Sequence, residues 1–122
     1  TMSPQTGLIA WQWATYERNH RDRLNLIVHF LTVPAFIAGV LSALRLLTLG
    51  LLVQAAAMFS VAALAFLVQV VGHKREAEAP MPFDGPLNVI GRIFTEQFIS
   101  FPRFVFTGGW ARNLAGQSPD QT

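Results

Sequence analysis

LNLIVHFLTVPAFIAGVLSAL, Leu24 to Leu44, and LLVQAAAMFSVAALAFLVQVV, Leu51 to Val71, are two runs of 21 residues with no formal charge in either. At about 1.5 Å of rise per residue, each is long enough to cross the roughly 30 Å hydrocarbon core of a bilayer as a helix. Between Leu24 and Gly72 the single formally charged side chain is Arg45, which stands with Thr48 and Gly50 between the runs. A charge costing about 2.5–3.5 kcal/mol at the bilayer centre reaches the interface from there. The pattern predicts an all-α integral membrane protein whose centre is a two-span transmembrane helical hairpin, 24–44 and 51–71, turning near Thr48.

Composition agrees. The chain has 122 residues, 52% hydrophobic and only 13% charged, with no cysteine, whereas an ordinary soluble domain is about one quarter charged. Its length suits one membrane domain over 1–122. The pI is near 9.9, but the formal net charge is only +2 and no basic stripe is present, which argues against nucleic acid as a partner. Without cysteine there is no thiolate nucleophile or Cys-based zinc site, and His, Asp and Glu remain as metal donors. Gly-rich phosphate loops, a Gly-x-Ser-x-Gly elbow and Ser/His/Asp triad spacing are also absent.

Arg18, Arg21 and Arg23 precede the first run, and Lys74 and Arg75 follow the second. By the positive-inside rule this multi-pass protein places both termini on the cytoplasmic side. The polar stretch before the first span does not read as a cleavable leader. Ile9, Trp13, Tyr16 and His20 recur at helical spacing and predict an N-terminal interfacial helix over about 6–20. Three prolines make 79–86 a loop. The apolar stretch 87–110, interrupted by Arg92, Glu96 and Arg103 and divided by Pro102, reads as a C-terminal interfacial or re-entrant helical segment, and 116–122 as a polar tail. Pro34 is expected to kink the first span. Ala35, Ala38, Gly39 and Ser42 on the first span, and Ala55, Ala56, Phe59, Ala62 and Ala63 on the second, are the small faces expected to pack. Assembly into a homo-oligomer stays open.

The chemistry gathers at one end of the hairpin. His20 and His73 are nearly equidistant from the turn, and His29 lies within the apolar run one helical turn before Pro34. All three histidines therefore fall at one membrane face, with Asn25, Glu76 and Glu78 nearby. An ionisable residue inside an apolar span is by default a functional candidate. Nine residues of unbroken helix would turn His20 and His29 to opposite faces, so convergence requires a break near Arg21 to Leu24. Three imidazoles with a carboxylate suit zinc, iron or manganese.

Tyr16-Glu17-Arg18-Asn19-His20-Arg21-Asp22-Arg23-Leu24-Asn25-Leu26-Ile27-Val28-His29 followed by Pro34, and Gln69-Val70-Val71-Gly72-His73 followed by acidic residues and Pro80, carry a family likeness. The chain resembles the Mpo-type 2-hydroxy fatty acid dioxygenase family, long catalogued as a domain of unknown function, from about Tyr16 to Pro86 and more weakly from Phe98 to Trp110. Its fungal member is an iron(II)-dependent enzyme of the endoplasmic reticulum that shortens 2-hydroxy fatty acids by one carbon. In the family the glutamate usually follows the second-block histidine by four positions; here Glu76 follows His73 by three.

The resemblance implies an Fe(2+) ion held by His20, His29 and His73, with Asn25 orienting a ligand or closing the kink. It implies Glu76 or Glu78 as a fourth ligand or as a partner of one. It further implies dioxygen and a long-chain 2-hydroxy fatty acid as reactants, the acyl chain lying in the bilayer or between the spans, with Arg75, Lys74 or Arg92 meeting the carboxylate. Two other functions fit the same residues: a non-catalytic membrane assembly or lipid-organising protein, and a zinc-dependent membrane hydrolase built on the same cluster.

Overall fold

The computed structural model describes residues 7–116, all of them helix, turn or coil. Position 6 of the interfacial helix and the tail beyond Gly116 lie outside the described residues. Helices α1 (Leu8–Tyr16), α2 (Arg23–Thr48), α3 (Leu52–His73), α4 (Pro86–Thr95), a π-helical turn (Glu96–Ser100), α5 (Phe101–Phe106) and α6 (Gly109–Leu114) follow in order. Helices α2 and α3 are the two long, apolar elements with the length and hydropathy to cross a membrane.

Helix α2 begins where a side chain can cap it: Asp22 accepts the Asn25 N–H at 3.0 Å, and the Arg75 guanidinium binds the same oxygen at 2.8 Å. The helix runs through Pro34 without ending. It stops in a Schellman turn, in which Gly50 at φ 74° donates to the Leu47 carbonyl and Leu51 donates to that of Leu46, both at 3.0 Å. That turn reverses the chain into α3.

The two long helices pack along a seam narrower than the small-residue faces. On α3 the inward positions are 55, 58, 62, 65, 69 and 72, spaced alternately by three and four as in a coiled coil; all but the half-buried Met58 are buried. Ala56, Phe59 and Ala63 are exposed, as are Ala38 and Ser42 of α2. Alanine is frequent on every side of such helices, so the heptad spacing decides which alanines meet the partner. Gly39 permits the closest approach, since a Cβ there would come within 2.9 Å of the Met58 carbonyl oxygen.

The segment 87–110 is not divided at Pro102. Positions 86 to 106 form one helical run, broken first at Gly108 with φ 86°. Phe101 N–H reaches back to the Glu96 carbonyl, and this widened π turn immediately precedes the proline that has no N–H to give. The run lies on the hairpin, where Phe101 and Phe104 pack with Tyr16, Leu26 and Val33, and Ile93 and Phe98 pack with Phe36, Val40, Ala62 and Ala65. Gln69 and Gln97, both fully buried, exchange two amide hydrogen bonds of 3.0 and 2.7 Å and tie α3 to the π turn.

Candidate metal centre

Helix α1 ends at Tyr16, earlier than the 20 expected, and the chain turns through 17–22 before α2 begins. That break lets His20 and His29 face each other. The backbone of the turn is held from both sides. Asn113 of α6 donates to the carbonyls of Glu17 at 3.0 Å and His20 at 2.6 Å, while Glu76 accepts from the backbone N–H groups of Arg21 at 2.8 Å and Asp22 at 3.1 Å.

His73, the last residue of α3, completes a triangle. Ring centroids are 4.9 Å apart for His20 and His29, 4.7 Å for His20 and His73, and 4.8 Å for His29 and His73, with interplanar angles of 78–87°. The carboxylate of Glu96, in the first residue of the π turn, joins them: one donor atom from each of His20, His29, His73 and Glu96 lies within 4.8 Å of the others.

The second interactions of the rings fix which nitrogen faces inward. His20 Nδ1 lies 2.8 Å from the Tyr16 carbonyl and His29 Nδ1 lies 3.0 Å from that of Asn25, so in both rings Nδ1 carries the hydrogen. Both Nε2 atoms then turn a lone pair toward Glu96 Oε2, at 3.1 and 3.5 Å. A lone pair facing a carboxylate repels it, unless the imidazole gains a proton or a cation stands between. His29 Nε2 and His73 Nδ1 are buried with no hydrogen-bond partner, a costly state that a metal ion would relieve. Three imidazoles and one carboxylate are a donor set for iron, zinc or manganese.

Glu96 is also bound by the Tyr16 hydroxyl at 2.8 Å, and the Tyr16 ring stacks on His20 at 3.9 Å. Burial alone would raise the Glu96 carboxyl, but with protons on the inward nitrogens the hydrogen bonds and positive charge of His20 and His29 outweigh burial and hold it well below the ordinary glutamate range, the same stabilisation a bound cation would give. Burial, then the charge and hydrogen bond of Glu96, push the Tyr16 phenol well up, so it stays a donor.

The structure moves the carboxylate expected at the cluster. Glu76 stands outside the group of four; both its oxygens are taken by Arg21 N, Asp22 N and the Asn25 amide at 2.6 Å, so it serves as a cap for the start of α2. Glu78 pairs with Arg18 at 3.4 Å, both half exposed. Asn25, fully buried, joins that cap to the cluster: its amide meets Glu76, its carbonyl meets His29, and Gly72 leaves room for its side chain, where a Cβ would collide with Oδ1. Glu96 escaped sequence reasoning because it stands in an apolar stretch, where it reads only as an interruption. Its spacing from Arg92, four residues on one helical face, was the available signal.

A cleft of about 1020 Å³ opens beside the cluster, walled by His20, His73 and Glu96 at one place and by Phe66, Val70 and Ile93 elsewhere. Arg92 lines it; Arg75, paired with Asp22, and Lys74, exposed, do not.

Residues 8–101 match the family model described as 2-hydroxy-palmitic acid dioxygenase Mpo1-like. Neither a curated protein nor a solved structure matches the chain.

Proposed function

Because the chain belongs to the 2-hydroxy-palmitic acid dioxygenase Mpo1-like family, we propose that it is a membrane-embedded, iron(II)-dependent dioxygenase that shortens long-chain 2-hydroxy fatty acids by one carbon. The observation that carries this reading is the meeting of His20, His29, His73 and Glu96 at the wall of a largely apolar cleft. Iron(II) bound by these four side chains would supply the electron transfer that dioxygen requires to react with an organic acid.

The chain's own residues prepare the site for that ion. The Tyr16 and Asn25 carbonyls hold the His20 and His29 rings with Nε2 inward, and the Tyr16 hydroxyl holds Glu96. Phe101, its ring centroid 5.8 Å from that of His29, and Phe104, 6.1 Å from that of His20, are buried and cover the histidines with apolar surface. Phe66, Val70 and Ile93 offer an acyl chain an apolar wall continuous with the outer surface of the hairpin. A 2-hydroxy acid brings two oxygens on adjacent carbons, one of its carboxylate and one of its hydroxyl, either or both of which a metal ion held by these residues could take.

Membrane residence is supported by the outer surface of the long helices. Leu31, Leu52, Val53, Leu64 and Val71 are each more than 60% exposed, a display of apolar area with no use in water. The arginine bias orients both ends of the chain to the cytoplasm.

The test is oxygen uptake. Protein purified without chelators and loaded with iron(II) should consume one dioxygen per 2-hydroxyhexadecanoic acid, a balance that yields the acid one carbon shorter, carbon dioxide and water. Hexadecanoic acid, lacking the 2-hydroxyl, should react poorly. If the acid is untouched while zinc-loaded protein hydrolyses a lipid ester, the hydrolase reading replaces this one.

A further inference from the structure

Helix α4 is amphipathic in an inverted sense. Its Leu87 and Ile90 are 85% and 55% exposed, and its single buried residue is Arg92, 8% exposed. Turning a guanidinium inward is costly unless it meets an anion; Glu96 and Asp84 attract it from a distance, but no described carboxylate comes within ion-pair contact of it. Its hydrogen-bond partners are neutral oxygens: Met81 carbonyl at 2.7 Å, Pro82 carbonyl at 3.2 Å and Asn88 Oδ1 at 3.5 Å. The rings of Trp11 and Phe83 lie 4.9 and 4.3 Å from its central carbon. Two of its five N–H donors have no oxygen opposite them among the described residues. It also stands one helical turn before Glu96, lining the same cleft.

We infer that Arg92 is the head-group anchor of this site: it takes the carboxylate of the lipid substrate, so that free 2-hydroxy acids enter and the same acyl chains in ester or amide linkage do not. The identity of the acid rests on the proposed oxygenase reaction; the anchor itself rests on a buried guanidinium that lines the cleft with no carboxylate in contact. The planar fork suits a carboxylate, and the hydrogen bonds and rings around it hold it ready in one orientation. Anchored there, the acid has its first two carbons beside the histidines and its tail against Phe66, Val70 and Ile93. A role confined to stapling the 80–83 loop to α4 would give stability without any preference between acid and ester.

Binding decides between these without turnover. Metal-free protein in detergent at pH 8, titrated calorimetrically with 2-hydroxyhexadecanoic acid and with its methyl ester, should bind the acid about tenfold or more tightly, as a charge-assisted pair requires. Arg92→Gln should erase the difference, and Arg92→Lys should keep part of it. Equal affinities in the unaltered protein overturn the anchor, as does an undiminished preference in a helical, monodisperse Arg92→Gln. If Arg92→Gln does not fold, the unaltered protein and Arg92→Lys carry the decision. Acid-selective binding with no oxygen uptake in iron-loaded protein sinks the reaction and leaves the anchor standing. Turnover with an unchanged KM in Arg92→Gln does the reverse.

Discussion

Each imidazole has two nitrogens, and at His20 and His29 the outer one is already committed to a carbonyl four residues back. The inner nitrogens and Glu96 are therefore presented before any ion arrives, and Tyr16 fixes the carboxylate. Tyr16→Phe keeps the ring stack but removes the hydroxyl, and should weaken metal affinity about 10- to 100-fold, read by chelator competition. The two glutamates should separate cleanly. Glu96→Gln should abolish stoichiometric metal binding measured by elemental analysis, whereas Glu76→Ala should leave the ligands in place and lower stability by about 1–3 kcal/mol, through the buried donors of Arg21, Asp22 and Asn25 that it orphans. Equal loss of metal in both would contradict the assignment. The histidines were legible in the sequence because an imidazole inside an apolar run, as at His29, stands out against its surroundings. Glu96 was not, since nothing local distinguishes a carboxylate that turns inward from one that interrupts a surface helix, and Glu76 lay nearer in sequence to His73.

Among elements, the two long apolar helices were readable and their faces were not. Uncharged length alone located 24–44 and 51–71, and the helices extend them by a few residues to Thr48 and His73. Side-chain size pointed to Ala56 and Ala63, but the contact follows the alternating three and four of two crossing helices, so Gln69 faces inward while those alanines face out. The π turn likewise has no local signature; the proline that follows it suggested a break instead. At the hairpin turn Gly50 has open space around it and φ 74°, so a substitution there is opposed by backbone conformation alone. Gly50→Ala should cost about 1 kcal/mol in a denaturation experiment and leave metal content unchanged.

For the whole molecule, the candidate ligands come from the turn after α1, from α2, from α3 and from the π turn, so one ion would join four segments. Removing it should lower the melting temperature, because an ion at 100 times its dissociation constant contributes about 2.7 kcal/mol to the folded state. A melting temperature indifferent to chelator would argue that no resident metal links these elements. Cysteine labelling in intact cells should find positions 6 and 117 on the same, cytoplasmic side; opposite accessibility would add a third crossing. The four segments also differ in when they exist. A ribosome delivers the three histidines first and must add 23 further residues after His73 before Glu96 is present. The growing hairpin thus has an incomplete coordination sphere, and the carboxylate that closes it arrives with the segment that covers it. Synthesis order alone would thereby delay full capture of a metal ion until the polypeptide can also cover it.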